Sequence, residues 1–426
     1  MNYSPEEIKQ YIQEEDVKFI RLMFRDAFGV AKNLSVMPSE LDKAFADGIR
    51  VNARQIAGFE QGGHDHLYLR PDPSTIAILP WRPESGRVIR MYCDVYISAE
   101  KPCDTDTRVL LSRAIEKAKD AGIDFRFGSQ SEFYLFKLDE EGNRTEIPQD
   151  EAGYMDMAPL DKGENVRREI CLTIEEMGLQ PERSHHEEGP GQNEIDFHFG
   201  DPMTAADQMM TFTMAVATVA GRNGLYADFS PMPIKGKPGN GYHINIYARD
   251  AEGNDVCRYA AAGILDKIRD ITLFLNPSEG SYRRFGFNTA PDRVNWSDGC
   301  ESALMRVYPY KGMIRTELRS PDALSNPYLA YAILIEAGLD GIRKRMELPD
   351  RRPGERSAGD AESKKSHGRS GQDLMTQSVK REMAAEDMLL PQSLKEAVDV
   401  ASHSEFVSSV VPERILKTYF SKVDSI

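Results

Sequence analysis

Two glutamates on either side of a Gly-Pro-Gly turn are the first residues whose spacing suggests chemistry. The turn lies at residues 189–191, and the residues from Glu194 to Phe199 alternate polar and apolar. This pattern predicts two antiparallel strands joined by a tight loop, in which we expect Glu187 to face Glu194. Because facing like charges destabilise a hairpin, either a hard divalent cation such as Mg²⁺ or Mn²⁺ lies between them or both side chains are solvated at a rim.

Three other segments alternate in the same way, so each of them presents one polar face. The polar side chains are Gln130, Glu132 and Tyr134 in the first segment, His243, Asn245 and Tyr247 in the second, and Arg315, Glu317 and Arg319 in the third. A lone histidine on such a face is more often structural than functional. The array of arginines and glutamate is either a solvated ion-pair ladder or a bracket around an anion and a metal.

Together these polar faces supply oxygen and nitrogen ligands for a metal and guanidinium groups for an anion. The candidate ligands are Glu132, Glu187, Glu194, His243 and Glu317, and the candidate anion donors are Arg284, Arg306, Arg315 and Arg319. That set suits a nucleoside triphosphate bridged by divalent metals, and it indicates phosphoryl transfer to a carboxylate. The sequence has neither a Walker loop nor a GxGxxG motif before a helix, so the familiar nucleotide-binding folds are not indicated.

The composition of the 426-residue chain, 40% hydrophobic and 28% charged, is that of a globular protein with room for two or three domains. The formal net charge of -15 disfavours nucleic acid as a partner, because a phosphate backbone would be repelled. Five scattered cysteines without CxxC spacing predict reduced thiols. Since we find no signal-peptide core and no apolar run near the ~20 residues that span a bilayer, we expect a cytoplasmic protein without a membrane partner.

Patterns along the chain predict a small mixed domain followed by long helices that alternate with short strands. Ser4 and Pro5 mark the start of a first helix. The predicted strands of the first domain lie at 17–24, 30–37 and within 74–97, and the predicted long helices lie at 110–121, 165–177, 205–223, 260–275 and 327–346. Residues 350–373 contain almost nothing apolar and are expected to form a flexible loop, whereas 374–426 are mostly helical in pattern.

Several motifs together resemble glutamine synthetase of the bacterial type I class. They are Ser184-His185-His186-Glu187, Gly191-Gln192-Asn193-Glu194, Asn326-Pro327-Tyr328-Leu329-Ala330 and Ala337-Gly338-Leu339-Asp340-Gly341-Ile342. The resemblance implies an α+β fold with a small β-grasp N-terminal domain at 1–103 and a catalytic domain at 104–426, in which helices back an antiparallel half-barrel sheet. It also implies a homo-oligomer, either a hexameric ring or a dodecamer, and the short carboxyl terminus favours the single ring.

The same resemblance implies an ATP-dependent reaction and a role for individual residues. The ligands of a first Mg²⁺ or Mn²⁺ match Glu132, Glu187 and Glu194, and ligands of a second match His243 and Glu317. Positions at the glutamate substrate match Gly239, His243, Arg284 and Arg319. Positions around ATP match Glu182, Arg306 and Arg315. The implied chemistry transfers the γ-phosphoryl group of ATP to the glutamate side chain, and an amine then attacks the acyl phosphate. Arg284, Arg306 and Arg319 are the implied catalytic residues.

Five positions depart from the pattern of that family. Gln130 replaces a metal-binding glutamate, and Asn52 and Thr289 replace two acids of the ammonium site. Glu301 replaces an arginine that contacts phosphate, and Pro238 replaces an asparagine that binds glutamate. The loss of two anions favours a neutral or bulkier amine over ammonium as the nucleophile. Two alternatives remain open, namely a paralogue without ligase activity that acts by binding or regulation, and a metal-dependent hydrolase built on the same hairpin.

Overall fold

The structure is a computed structural model that describes residues 3–60, 64–349 and 389–421. Segment 350–373, which was predicted to be a flexible loop, lies outside the described residues. Within them the chain forms two separate sheets, each with helices and a hydrophobic core of its own. The predicted α+β class is confirmed.

The first sheet has six strands and the β-grasp arrangement. Its strands are β1 (Val17–Arg25), β2 (Ala31–Val36), β3 (Ile49–Asn52), β4 (His66–Pro71), β5 (Ala77–Ile78) and β6 (Arg87–Tyr96), in the order β2-β1-β6-β4-β3 with β5 beside β6. Strands β1 and β6 run parallel at its centre. Helices α1 (Pro5–Glu14) and α2 (Leu41–Ala46) bury Ile8, Ile12 and Leu41 in the core of this sheet. Helix α1 begins at a capping box in which Ser4 accepts a hydrogen bond from the backbone of Glu7.

The second sheet has nine strands and carries the predicted polar segments. They are β7 (Asp124–Leu138), β8 (Arg144–Pro148), β9 (Pro181–His186), β10 (Gln192–Gly200), β11 (Leu225–Asp228), β12 (Tyr242–Arg249), β13 (Trp296–Ser297), β14 (Met305–Tyr310) and β15 (Met313–Leu318). The order is β13-β14-β15-β12-β7-β10-β9, with β8 and β11 paired to β7. The longest strand, β7, is therefore central, and every pairing except β13 with β14 is antiparallel.

Helices cover the apolar face of this sheet. They are α3 (Thr107–Asp120), α4 (Glu164–Glu176), α5 (Pro202–Arg222), α6 (Cys257–Leu275), α7 (Glu279–Arg284), α8 (Pro327–Lys344), α9 (Leu394–Ser402), α10 (Glu405–Val410) and α11 (Glu413–Phe420). The ring of Phe127 on β7 stacks on Tyr331 of α8 with 4.3 Å between centroids, and Phe133 contacts Phe212 of α5 edge-on. With one face buried in this way, the polar side chains of the alternating strands must lie on the opposite face.

The five predicted long helices are confirmed, although three of them begin three residues earlier than expected. Helix α3 starts at Thr107 rather than 110, because the side chain of Asp106 accepts a hydrogen bond from the backbone of Arg108 and so caps the helix. Helix α5 starts at Pro202 for the same reason, with Asp201 as its cap. Within the described ranges, no helix is long and apolar enough to cross a membrane.

A buried arginine contributes several polar contacts to the junction of the two domains. The guanidinium group of Arg108 on α3 donates hydrogen bonds to Asp72 and Asp94 of the β-grasp domain, at 2.7 and 2.6 Å. It also donates to both carboxylate oxygens of Asp207 on α5, at 3.2 and 3.1 Å. Because its side chain is only 5% exposed, these three carboxylates hold a buried charge at the domain junction.

Candidate active site

Strand pairing sets the polar side chains of the second sheet in adjacent rows. Glu132 on β7 lies directly opposite Glu194 on β10, and Gln130 lies between Asp196 of β10 and His243 of β12. Further along the sheet, Glu317 on β15 is paired with Asn245 of β12 and with Arg306 of β14. The polar residues that alternation predicted on separate segments therefore share one concave face.

The predicted pairing of Glu187 with Glu194 is wrong by two residues. The backbone N–H of Glu187 donates to the carbonyl of Gln192 at 2.8 Å, and Glu194 is paired instead with His185 of β9. The turn thus begins earlier in the chain than the Gly-Pro-Gly signal indicated. Since side chains alternate with a period of two, a shift of two residues leaves both carboxylates on the same face of the sheet.

Two overlapping groups of side chains could each hold a metal ion. In the first group, ligand atoms of Glu132, Glu194 and His243 all lie within 4.8 Å of one another, and in the second the same holds for His185, Glu187 and Glu194. The Nε2 atom of His185 lies 3.4 Å from Oε1 of Glu187. Glu194 belongs to both groups, so it is placed to bridge two neighbouring ions.

The electrostatics of these groups match a divalent cation. Burial raises the pKa of Glu132 to about 7, and burial together with the charge of Glu132 raises the pKa of Glu187 to about 8. Burial and nearby Asp196 hold the pKa of Glu194 well above its usual range. Burial and Arg319 lower the pKa of His243, which leaves a neutral ring with a lone pair to offer. Buried carboxylates that repel one another fit a bound cation.

Gly241 leaves open the space between two of these ligands. A Cβ atom at this position would lie 2.8 Å from Nε2 of His243 and 3.0 Å from Oε1 of Glu132. The backbone N–H of Gly241 also donates to Oε2 of Glu132 at 3.0 Å, and Gln192 donates to the same oxygen at 2.8 Å. These two donors orient the carboxylate, so that Oε1 points toward His243.

The carboxylate of Glu317 is hydrogen-bonded by arginines, so its oxygens are not free to bind a metal. Arg319 donates to its Oε1 at 2.5 Å, and Arg306 donates to its Oε2 at 3.2 Å. The Nδ1 atom of His243 lies 3.9 Å from the same carboxylate. Arg315 turns away and donates to Asn245 at 2.8 Å. The predicted residues of β14 and β15 are thus close together, and Glu317 fixes the position of two guanidinium groups.

Arg284 and Gly239 form one wall of the site. Arg284 is 3% exposed and donates to the carbonyl oxygens of Ser320 and Pro321, the second at 2.9 Å. A Cβ atom at Gly239 would lie 2.7 Å from Cγ of Arg284, so only glycine lets the arginine pack here. The Nε atoms of Arg284, Arg306 and Arg319 are all buried and find no hydrogen-bond partner in the part of the chain that the structure describes. Buried donors of this kind are suited to an anionic ligand.

Glu182 and Arg315 lie at the outer end of the site. The hydroxyl of Tyr310 donates to Oε1 of Glu182 at 3.0 Å, which ties β9 to the turn between β14 and β15. The guanidinium of Arg315 lies over the ring of Tyr310, 5.2 Å from its centroid. This end combines an aromatic ring with a cation.

The five departing positions occupy different surroundings. Gln130 donates through Nε2 to Asp196 at 3.1 Å. Thr289 and Pro238 line a narrow cavity of about 50 Å³ together with Glu132, Glu187 and His243. Asn52 instead caps a short turn of the β-grasp domain by accepting from the backbone of Arg54. Glu301 is exposed on the turn before β14.

Sequence reasoning missed several residues of this site. His185 offers a ring nitrogen beside Glu187, Gln192 orients Glu132, Gly241 leaves space between the ligands, and Glu188 lines the cavity. His185 precedes Glu187 by two residues, so the same alternation that singled out Glu187 would have placed it on the same face. Gln192 and Gly241 lie inside motifs from which other residues had already been predicted as site residues. Their position in those motifs was the signal that could have identified them.

Comparison with known proteins shows the family and agrees with this fold. Residues 16–98 match the family model described as the glutamine synthetase beta-Grasp domain, and residues 104–423 match the glutamine synthetase catalytic domain. Glutamine synthetase of Clostridium saccharobutylicum is 38% identical over 432 aligned positions, which cover 98% of this chain and 93% of that protein. The glutamine synthetase of Methanosarcina mazei is 37% identical, with 97% and 92% covered.

Two solved structures share the fold at lower identity. A complex of GmaS with ADP superimposes with a TM-score of 0.82 at 22% identity, and it covers all of this chain and 95% of that one. Apo GmaS gives a TM-score of 0.81 at 24% identity, with 98% and 94% covered. A β-grasp domain followed by a half-barrel with a carboxylate-rich face is thus the architecture of a glutamine-synthetase-like ligase. The chain belongs to the glutamine synthetase family, whose members use ATP and divalent metals.

Proposed function

We propose that this protein joins the side-chain carboxylate of glutamate, or of a similar acid, to an amine in an ATP-dependent reaction. The observation that carries the proposal is the placement of Glu132, Glu194 and His243 within 4.8 Å of one another, next to the buried Arg284 and Arg319. A metal-ligand group beside anion donors is what phosphoryl transfer to a carboxylate needs. As elsewhere in the family, the active form is proposed to be a homo-oligomeric ring.

The donors present fit a divalent ion, Mg²⁺ or Mn²⁺. Glu132, Glu187, Glu194 and His243 would together hold two such ions, one of them on the His243 side, with Glu317 at the edge of the site. When bound, such an ion supplies charge neutralisation for the phosphates of ATP. Gln130 donates to Asp196 and brings no charge, so we expect the ion on the His243 side to bind more weakly than with a carboxylate at that position.

The residues of this chain hold the two substrates in line. Arg284 and Gly239 are proposed to bind glutamate, and Arg306, Arg315 and Glu182 are proposed to lie around ATP. A bond forms between the γ-phosphorus and a side-chain oxygen of glutamate while the bond to ADP breaks. The nitrogen of a neutral amine then bonds to the acyl carbon, phosphate leaves with the electron pair of the broken C–O bond, and one proton passes from nitrogen to water. Arg319 is placed to neutralise the charge that develops.

The uncharged residues at the amine end support an amine other than ammonium. Thr289 and Pro238 line the cavity beside Glu187, whereas Asn52, which is also neutral, caps a turn of the β-grasp domain. Because neither position of the family's ammonium site carries an acid, a fully solvated ammonium ion gains less by entering than an amine that also contacts apolar atoms. We therefore expect a small alkylamine to be the preferred nucleophile.

The test is an assay of the full chain with ATP, Mg²⁺ or Mn²⁺, glutamate and a panel of ammonium, methylamine and ethylamine. Phosphate release should require both glutamate and an amine, and mass spectrometry should detect the corresponding γ-glutamyl amide. The variant Arg284→Met should lose more than about 100-fold in kcat/KM, whereas Arg113→Met on the exposed side of α3 should not. Complete independence of phosphate release from glutamate would overturn the proposal.

A second candidate is a binding protein without ligase activity, and it is favoured by Glu301. An acid in place of a phosphate-contacting arginine repels a triphosphate. Calorimetry with ATP and Mn²⁺ separates the two candidates when it is combined with the assay above. Tight metal-dependent ATP binding without turnover by any amine would support the binding protein.

A further inference from the structure

A carboxylate outside the predicted set lies at the mouth of the candidate amine site. Glu188 follows the candidate ligand Glu187 in the hairpin turn, and it lines the same cavity as Thr289 and Pro238. Its Oε2 atom accepts a hydrogen bond of 2.7 Å from Nδ2 of Asn288. Asn288 belongs to the loop at 286–290, which we name the flap. The hairpin turn and the flap thus meet at this one side chain.

The geometry of the flap presents Asn288 to Glu188. The flap follows α7, the helix that ends at Arg284, and its first turn is closed by a hydrogen bond from Phe287 N–H to the carbonyl of Arg284 at 3.1 Å. Gly286 and Asn288 both have positive φ, at 71° and 54°. Asparagine tolerates this left-handed conformation better than most residues do. The flap is therefore built on the helix that carries a candidate glutamate-binding arginine.

Glu188 is exposed at the mouth of the cavity, and in the described part of the chain no cation forms an ion pair with its carboxylate. Among the described residues, its polar contacts are the amide of Asn288 and, through its own backbone N–H, the carboxylate of Glu187. Burial, and to a smaller extent the charge of Glu188, raises the pKa of Glu132. Arg284 lines the same cavity, but it donates to the carbonyls of Ser320 and Pro321. The carboxylate of Glu188 is therefore an acceptor at the cavity mouth that Arg284 does not pair with.

We propose that Glu188 binds the amine substrate as its ammonium form, in place of the acids that positions 52 and 289 lack. The bound ion then loses one proton to water, and the neutral nitrogen attacks the acyl phosphate. The inference rests on the proposed function and names the substrate class more narrowly, as a small primary alkylammonium ion. Its ammonium group would replace or join the amide of Asn288 at the carboxylate, while Pro238, Phe287 and Ala290 supply apolar atoms around the alkyl group.

The size of the cavity supports a small amine. About 50 Å³ is room for roughly three or four water molecules, since one needs at least ~10–15 Å³ by the same measure. Methylammonium or ethylammonium is small enough for such a space. The hydrogen bond between Glu188 and Asn288 crosses the rim of the cavity, so closing the flap and holding the cation involve the same carboxylate.

The test compares Glu188→Gln with Asn288→Ala, using methylamine and hydroxylamine as nucleophiles. Hydroxylamine is uncharged at neutral pH, so only methylamine requires an anion in the site. For Glu188→Gln we expect KM for methylamine to rise roughly ten-fold relative to KM for hydroxylamine, with KM for glutamate and ATP changed less than about two-fold. Asn288→Ala keeps the charge and should leave the ratio of the two KM values unchanged. Glu151→Gln, an exposed glutamate outside the site, is the matched control.

A binding measurement keeps the test decisive even if the protein proves not to turn over. Saturation-transfer NMR with methylammonium should show transfer in the wild-type protein and in Glu151→Gln, and a loss of transfer in Glu188→Gln. Introducing Thr289→Glu into the Glu188→Gln variant should restore the saturation transfer, because residue 289 of the flap then supplies a carboxylate to the same cavity. Equal transfer in wild type and Glu188→Gln, or equal shifts of the KM ratio in Glu188→Gln and Asn288→Ala, would overturn the proposal. Failure of the proposed function alone would appear as absent phosphate release with methylammonium binding retained.

Discussion

At the scale of single residues, Gly241 decides how much room lies between candidate metal ligands. Its φ is outside the left-handed region, so an alanine is compatible with the backbone there. The added Cβ would lie 2.8 Å from Nε2 of His243 and 3.0 Å from Oε1 of Glu132. Both side chains must move to accept it, and the position of a cation between them is lost.

We therefore predict that Gly241→Ala lowers the affinity for Mn²⁺ by about 10–100-fold while the melting temperature of the metal-free protein changes little. Gly299→Ala is the matched control, because a Cβ there meets nothing within 4 Å. Titration of free Mn²⁺ by electron paramagnetic resonance measures the difference. If both variants bind Mn²⁺ equally well, no cation lies between His243 and Glu132.

Alternation along each strand was enough to predict which polar residues share a face. It could not predict which neighbour each side chain meets, because that depends on pairing between distant strands. Gln130 illustrates the limit: its amide is bound by Asp196, which lies 66 positions away in the chain. Glu188 illustrates a second limit, since its partner Asn288 is 100 positions away.

At the scale of elements, the hairpin turn before β10 is stabilised by hydrogen bonds to the side chain of Asp150. One oxygen of Asp150 accepts from the backbone of Gly191 at 3.0 Å and contacts Nε2 of His186 at 2.9 Å, while the other accepts from Lys162 N–H at 2.9 Å. Although burial acts to raise it, these hydrogen bonds hold the pKa of Asp150 at about 2. An ionised, buried carboxylate thus fixes the turn that separates Glu187 from Glu194.

We predict that Asp150→Asn weakens Mn²⁺ binding by about 10–100-fold without touching a candidate ligand, and that it lowers the free energy of unfolding by about 1–3 kcal/mol. An amide presents one acceptor oxygen where the carboxylate presents two, so at least one of the backbone donors loses its partner. Calorimetric Mn²⁺ titration and urea denaturation give the two values. Asp120→Asn, on the exposed surface of α3, should change neither; an equal effect in both variants would assign the loss to charge alone.

The turn also shows why the register of the hairpin was predicted wrongly. The loop was predicted to be centred between Gly189 and Gln192. The backbone pairs Glu187 with Gln192 instead, which places the centre one residue earlier, between Gly189 and Pro190. Gly189 has no room for a side chain, because its Cβ would overlap the hydroxyl of Tyr134. Gly191 has φ +68° and lies against the carbonyl of Leu135. Both glycines are required by contacts with β7, which the local turn signal did not contain.

At the scale of the whole molecule, the two domains could be predicted but their junction could not. The class of each domain followed from motifs and from the change of pattern near residue 106. The ion-pair cluster at the junction joins Arg108 to Asp94, Asp72 and Asp207, which lie 14, 36 and 99 positions away. No local pattern links residues at such separations, so α3 was predicted as an amphipathic helix and its buried arginine passed unnoticed.

Arg108 compensates the negative charge of three carboxylates at this junction, so its removal should destabilise both domains. We predict that Arg108→Met, which keeps much of the volume, lowers the free energy of unfolding by about 3–5 kcal/mol, since the partly buried Asp207 would be left without its cation. Urea denaturation followed by circular dichroism measures the change, with Arg113→Met on the exposed side of the same helix as the control. Adding Asp207→Asn to Arg108→Met should recover part of the loss, because it removes one uncompensated charge while Tyr328 can still donate to the side-chain oxygen. An unfolding midpoint for Arg108→Met equal to that of Arg113→Met would mean that Arg108 adds no net stability to the junction.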